Sequence, residues 1–138
     1  MITTKTKIVL IKIPYWLGIG ADALWAVGLL FPPVFGVLTG NPEFSPDLQA
    51  RLIMGIGGSL MMGWTLLLLW AVRKPIERRV VILLTAFPVV LGIFIITLIP
   101  ILTGDSSNIW ILIKTLILMI SMLISYVLAG KIDKGREL

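Results

Sequence analysis

An all-α fold, a polytopic four-helix transmembrane bundle with both termini cytoplasmic, is predicted by three observations. The chain has 138 residues, of which 58 % are hydrophobic and only 14 % charged, far from the roughly 45–50 % apolar and about 25 % charged of soluble domains. Four long apolar runs, separated by short connections rich in Pro, Gly and charge, consume most of the length and leave no room for a separate soluble domain. Every lysine and arginine except Arg51 and Lys114 falls on one side of these runs; this asymmetry puts both ends on the cytoplasmic face of a cell membrane. The reading is one transmembrane domain over residues 1–138, with helices at 14–37, 46–72, 80–101 and 109–128 and an amphipathic basic segment at 3–13.

The first span carries three lysines ahead of it, Lys5, Lys7 and Lys12, interleaved with apolar residues, a composition suited to an anionic membrane surface. The pattern mimics a signal peptide. No small-residue cleavage site follows, however, and a central acid suits a signal core poorly, so an uncleaved helix is expected. Pro14 fits a first helical turn, where its missing N–H costs nothing, and Tyr15 and Trp16 fit an interfacial belt. Gly18, Asp22 and Ala26 then repeat at intervals of four, so the acid shares its face with two small residues that admit a neighbouring helix. Pro32 and Pro33 interrupt the run, and Gly40 marks its exit.

Ser45, Pro46 and Asp47 read as a helix start, with Ser45 as N-cap and Pro46 in the first position. The second helix places Arg51 one turn in, Trp64 deep and Trp70 at the inner interface. Gly55, Ser59 and Gly63 form a small-residue seam, open to packing within the bundle or between subunits, and the cluster at 55–58 reads as close helix packing rather than a phosphate loop. The basic turn at 73–79 orients the chain, and a role towards lipid headgroups is a second purpose for it.

In the third span Pro88 frees the carbonyl of Leu84 and predicts a kink, with Thr85 and Thr97 placed to satisfy freed backbone groups. Residues 102–108 form a short outer loop. Trp110 opens the fourth helix, Tyr126 approaches its inner interface and Gly130 ends it, leaving 131–138 as a solvated tail. Lys114, Ser121 and Ser125 share one face and predict a polar stripe turned towards the bundle. Leu-Thr-Gly closes both outward helices, at 38–40 and 102–104, an echo that either duplication or common helix-ending chemistry produces.

Function is expected at the ionisable groups inside these helices. A central Asp in a bilayer costs roughly 3 kcal/mol, so Asp22 needs a partner, a proton or a water-filled cavity. Counted from the outer interface, Lys114 lies roughly 8 Å deep and Asp22 roughly 14 Å, a gap that a lysine side chain spans. If their helices are adjacent the two pair, with Arg51 above them. One reading is a structural ion pair that fixes registry. The other is a binding site with surplus positive charge for a lipid-like or anionic amphiphile, with Trp25 and Trp64 lining its apolar part and Ser121 in its polar stripe. The chain has no cysteine or histidine, which removes disulfides, thiolate chemistry, imidazole ligands and His-based acid–base catalysis. No enzyme and no cofactor are expected. The net charge of +5 is explained by topology, so no nucleic-acid partner is expected; membrane lipids are, with further copies of the chain or a larger membrane complex beside them.

Two resemblances bear on the choice. Four short helices with one carboxylate, Asp22, in the first are similar in outline to the small multidrug resistance transporters, which implies a homodimer that exports cations by proton coupling. The departures are Asp in place of that family's Glu, a fourth helix without its glycine pattern, and Lys114. The proline-terminated first helix at Pro32, the run Arg51-Leu52-Ile53-Met54-Gly55-Ile56-Gly57-Gly58 and the basic turn after Trp70 resemble the DoxX-like group of small four-helix membrane proteins over roughly the first 80 residues. That resemblance implies an accessory or quinone-linked membrane subunit. The expectation is therefore a non-enzymatic accessory subunit or binder of an anionic amphiphile, with a proton-coupled transporter using Asp22 as the alternative.

Overall fold

The computed structural model describes residues 4–104 and 109–135. Helix α1 spans Thr4–Leu30, α2 Pro32–Thr39, α3 Leu48–Ala71, α4 Arg79–Leu84, α5 Leu91–Leu102 and α6 Ile109–Lys134, with a π-helical stretch, Thr85–Val90, between α4 and α5. No strand occurs among the described residues. Four stretches, Lys5–Leu30, Leu48–Ala71, Arg79–Leu102 and Ile109–Lys134, are long and apolar enough to cross a membrane; at about 1.5 Å per residue each exceeds a hydrocarbon core of about 30 Å. Residues 105–108 of the expected outer loop, Thr3 of the basic segment and 136–138 of the tail lie outside the described residues. Tertiary contacts gather into two compact units, one of Met1–Leu17 with Trp70–Leu138, the other Gly18–Leu69.

In the first unit α1 begins ten residues before Pro14, so the basic segment is its opening turns rather than a separate surface element, and Pro14 is interior. Proline removes one backbone bond and crowds the preceding turn. The buried Ser125 hydroxyl of α6 donates to the Ile11 carbonyl at 2.9 Å, next to the Leu10 carbonyl that Pro14 leaves without its N–H. Tyr15 is fully buried, and its hydroxyl donates to the Arg78 carbonyl at 3.3 Å, while Trp16 stays exposed. Arg79 at the head of α4 donates to Asp133 at 2.8 Å and lies 6.0 Å from the Tyr126 ring centroid. Gly130 sits beneath it: a Cβ there would come within 3.4 Å of the guanidinium. The helix therefore runs through Gly130 to Lys134 instead of ending there, because glycine is tolerated in a membrane helix and here makes room for an inter-helix ion pair.

The third span breaks at Pro88, as its sequence predicts. Phe87 is extended (φ −122°, ψ 121°) between α4 and α5, the conformation proline imposes on the residue before it. Thr85 donates to the Val81 carbonyl and Thr97 to those of Ile93 and Phe94. These are bonds along their own helix to carbonyls that proline did not free, which corrects the role expected of both threonines.

In the second unit α1 ends at Leu30, Phe31 is extended, and Pro32 and Pro33 start α2, as fits residues that need no N–H partner in a first turn. α2 folds back on α1, since a Cβ at Gly28 would meet Phe35 and the Leu38 side chain. Gly40 closes α2 with φ 76°, and the Asn41 N–H reaches the Gly36 carbonyl at 2.8 Å, a left-handed cap that favours glycine. Thr39 and Thr103 both turn their hydroxyls back to carbonyls three and four residues earlier, and Gly104 is also left-handed (φ 100°); the repeated Leu-Thr-Gly is a helix-ending device. The cap of α3 is Asp47, not Ser45: its Oδ1 accepts the Ala50 N–H at 2.7 Å and its carbonyl accepts the first helical bond, from Arg51. A carboxylate reaches the third N–H of a helix from the residue just before it, and that position is 47.

α3 meets α1 at Gly58, where a Cβ would stand 2.8 Å from Leu30 Cγ and 3.2 Å from the Ala26 carbonyl, and at Gly57 beside Leu29. The seam Gly55, Ser59, Gly63 is different: among the described residues nothing approaches a Cβ at either glycine within 4 Å, and Ser59 and Gly63 are exposed. Gly58→Ala is therefore expected to destabilise by about 1–3 kcal/mol, while Gly55→Ala and Gly63→Ala leave stability unchanged or raised. Equilibrium unfolding in detergent micelles checks this, and equal losses at all three positions would sink it.

Candidate functional site

Asp22 is held by the packing of its own helix face. Gly18, Asp22 and Ala26 are all buried, as their spacing predicts. At 7 % exposure Asp22 stands about 12 Å from the Leu30 end of α1, and its Oδ2 is the one buried side-chain oxygen or nitrogen without a hydrogen-bond partner among the described residues. Native interiors satisfy nearly all such atoms, and leaving one unpaired costs about 1–3 kcal/mol or more for a charged group.

The contact of Gly58 with Ala26 sets an antiparallel register that carries Asp22 to the level of the turn from Met61 to Thr65. Thr65 is buried but spends its hydroxyl on the Met61 carbonyl at 2.8 Å; Trp64 is half-buried beside it. Arg51 lies about 16 Å further along α3 from that level and is exposed. Arg51 thus stands apart from the carboxylate it was expected to overlie.

Trp25, expected as a lining residue, belongs to an aromatic cluster: its ring centroid is 6.1 Å from Phe35, which is 5.0 Å from Phe44. Gly36 permits this, since a Cβ there would stand 2.5 Å from the Asn41 carbonyl and 3.2 Å from Phe44 Cβ. Phe35 and Phe44 were not anticipated. The signal that could have found them is the Pro-Pro break, which lets α2 turn back.

Lys114 and Ser121 lie in the other compact unit. The buried face of α6 is Thr115, Met122, Ser125 and Ala129, so of the expected polar stripe Ser125 is inside, Ser121 is half-buried and donates to the Leu118 carbonyl at 2.7 Å, and Lys114 is exposed. Small side chains win the tight contact, and a lysine near a helix end extends towards the interface instead. No group of three or more His, Cys, Asp or Glu suited to a metal ion occurs among the described residues.

The chain is thus an all-α protein with four helices fit to cross a membrane and one buried carboxylate in the first of them. No protein-family model, curated protein or solved structure matches it. Because Oδ2 has no partner among the described residues, Asp22→Asn is expected to leave the stability of the ligand-free protein unchanged or raised. A loss of about 3–5 kcal/mol in thermal or denaturant unfolding, the cost of breaking a buried ion pair, would show that the carboxylate serves the fold.

Proposed function

We propose that the protein is a non-enzymatic membrane-embedded binding protein whose site is Asp22, and that its ligand brings a positive charge or a hydrogen-bond donor to that carboxylate from within the bilayer. The observation that carries the reading is the buried, unpartnered Oδ2: ionisable residues inside spans mark ligand and ion pathways by default, and this one has acceptor capacity to spare. The reading reverses the charge of the ligand expected from sequence. An anionic amphiphile needed Arg51 and Lys114 beside Asp22, and both are exposed, Arg51 well along α3. Proton-coupled transport is the form this site takes if the ligand also crosses the membrane. The clustering of Lys and Arg at one side of the spans supports both termini being cytoplasmic.

Equilibrium binding to the purified chain tests the proposal, with tetraphenylphosphonium as lipophilic cation and oleate as anionic amphiphile. Tetraphenylphosphonium is expected to bind wild type and Asp22→Glu, and to bind Asp22→Asn at least roughly tenfold more weakly, the effect of losing one charge-assisted contact. Saturable binding of oleate that is indifferent to Asp22→Asn, with no binding of the cation, would overturn it.

A further inference from the structure

A second site lies at the opposite end of α1 from Leu30. The turn joining α3 to α4 folds against the opening of α1 and lines an open cavity of about 230 Å³. Its cationic edge is Lys12, Arg73 and Lys74, and its apolar wall is Ile8, Pro75 and Ile76. Pro75 and Ile76 are buried, so the wall is set by packing. Lys12 stands one helical turn beyond Ile8 on the same face of α1, which brings a cation and an apolar surface together at one spot. Glu77 also borders the cavity and takes Lys74 as partner at 3.0 Å. That pair is more than half exposed on both sides and contributes little. Lys12 and Arg73 have no carboxylate partner among the described residues, so the cavity presents two uncompensated positive charges.

Its place in the fold decides what occupies it. The turn falls between two apolar stretches, Leu48–Ala71 and Arg79–Leu102, at the level where a bilayer gives way to headgroups. Trp70 sits at this boundary with the Arg78 guanidinium 3.5 Å from its ring centroid and donating to its carbonyl, as aromatic and basic residues do at an interface. The volume lies below the roughly 300–1,000 Å³ of drug-sized pockets; it suits a phosphate with a small polar substituent. Further along α1, Ile13 and Trp16 are exposed at 47 % and 56 %, an apolar track continuous with Lys12.

We propose that this cavity binds the phosphodiester headgroup of one anionic phospholipid, with Lys12 and Arg73 on the phosphate, the wall of Ile8, Pro75 and Ile76 against the glycerol, and the acyl chains along the exposed track of α1. A free phosphate ion offers the same charge to Lys12 and Arg73 but gains nothing from the apolar track. A zwitterionic lipid brings its own cation to an already cationic edge. Both are disfavoured. This site is independent of Asp22 and stands or falls without it.

The test is a lipid titration of the full purified chain in a nonionic detergent, read by bound-lipid count in native mass spectrometry and by thermal shift. The probes are dioleoyl-phosphatidylglycerol, dioleoyl-phosphatidylcholine and glycerol 3-phosphate. Phosphatidylglycerol is expected to bind with one saturable equivalent and to raise the melting temperature, with no shift from the other two at the same concentration. Lys12→Gln/Arg73→Gln is expected to weaken that binding at least roughly tenfold, as follows from the loss of two interfacial cations. Lys131→Gln/Lys134→Gln, which removes as much charge from exposed positions away from the cavity, leaves it as in wild type. Arg73→Gln alone, an exposed turn position, reports a partial loss should the double variant not fold. Binding that survives both cavity variants, equal weakening by the control pair, or an equal shift from glycerol 3-phosphate would each overturn the proposal.

Discussion

A hydrocarbon core supplies no hydrogen bonds, so each polar group carried into it must find a partner inside the protein. The buried hydroxyls among the described residues obey that constraint. Thr65, Thr85, Thr97 and Thr115 turn back to carbonyls of their own helices, and Ser125 reaches across to the backbone of α1. Tyr15, buried completely, gives its proton to the Arg78 carbonyl. Against this background the unpartnered Oδ2 of Asp22 stands out. A fold that satisfies its buried alcohols retains an unsatisfied carboxylate at a cost, and that cost is the ground on which a ligand is proposed to supply the missing donor.

The prolines show how the same constraint is met in three ways. Pro14 stays inside α1, with Ser125 of α6 bonded to the carbonyl next to the one it leaves open. Pro32 and Pro33 fall where no backbone bond is owed, at the start of α2, and so turn the chain back on itself. Pro88 has neither arrangement, and the helix opens at Phe87. One residue type thus yields continuity, reversal or rupture according to what the surroundings offer. The reversal also places Phe35 and Phe44 beside Trp25, closing an aromatic cluster one turn beyond Asp22.

Much of this was legible in the sequence. Four apolar runs gave four helices of spanning length, and the spacing of Gly18, Asp22 and Ala26 gave a buried face, because length and periodicity are local properties. What was not legible depended on a neighbour. Gly130 reads as a stop until α6 is seen to run on to Lys134, whose last turns carry the ion pair with Arg79, and Pro14 reads as a start until α1 is seen to begin at Thr4. Lys114 shares a helical face with Ser121 and Ser125, yet Thr115 and Met122 are buried instead, since tight packing selects small or flexible groups and leaves a long cation to the flank. Depth along a helix could be counted, whereas the exposure of Arg51 and Lys114 could not.

The central claim is that the Asp22 carboxylate itself meets the ligand. Infrared difference spectra of the purified protein, tetraphenylphosphonium-bound minus free, test it most directly in the carboxyl stretching region. Direct contact gives a ligand-induced carboxyl band that is present in wild type, displaced in Asp22→Glu and absent in Asp22→Asn. A difference spectrum in which bound ligand leaves the carboxyl region flat, or in which the same band persists in Asp22→Asn, would contradict it.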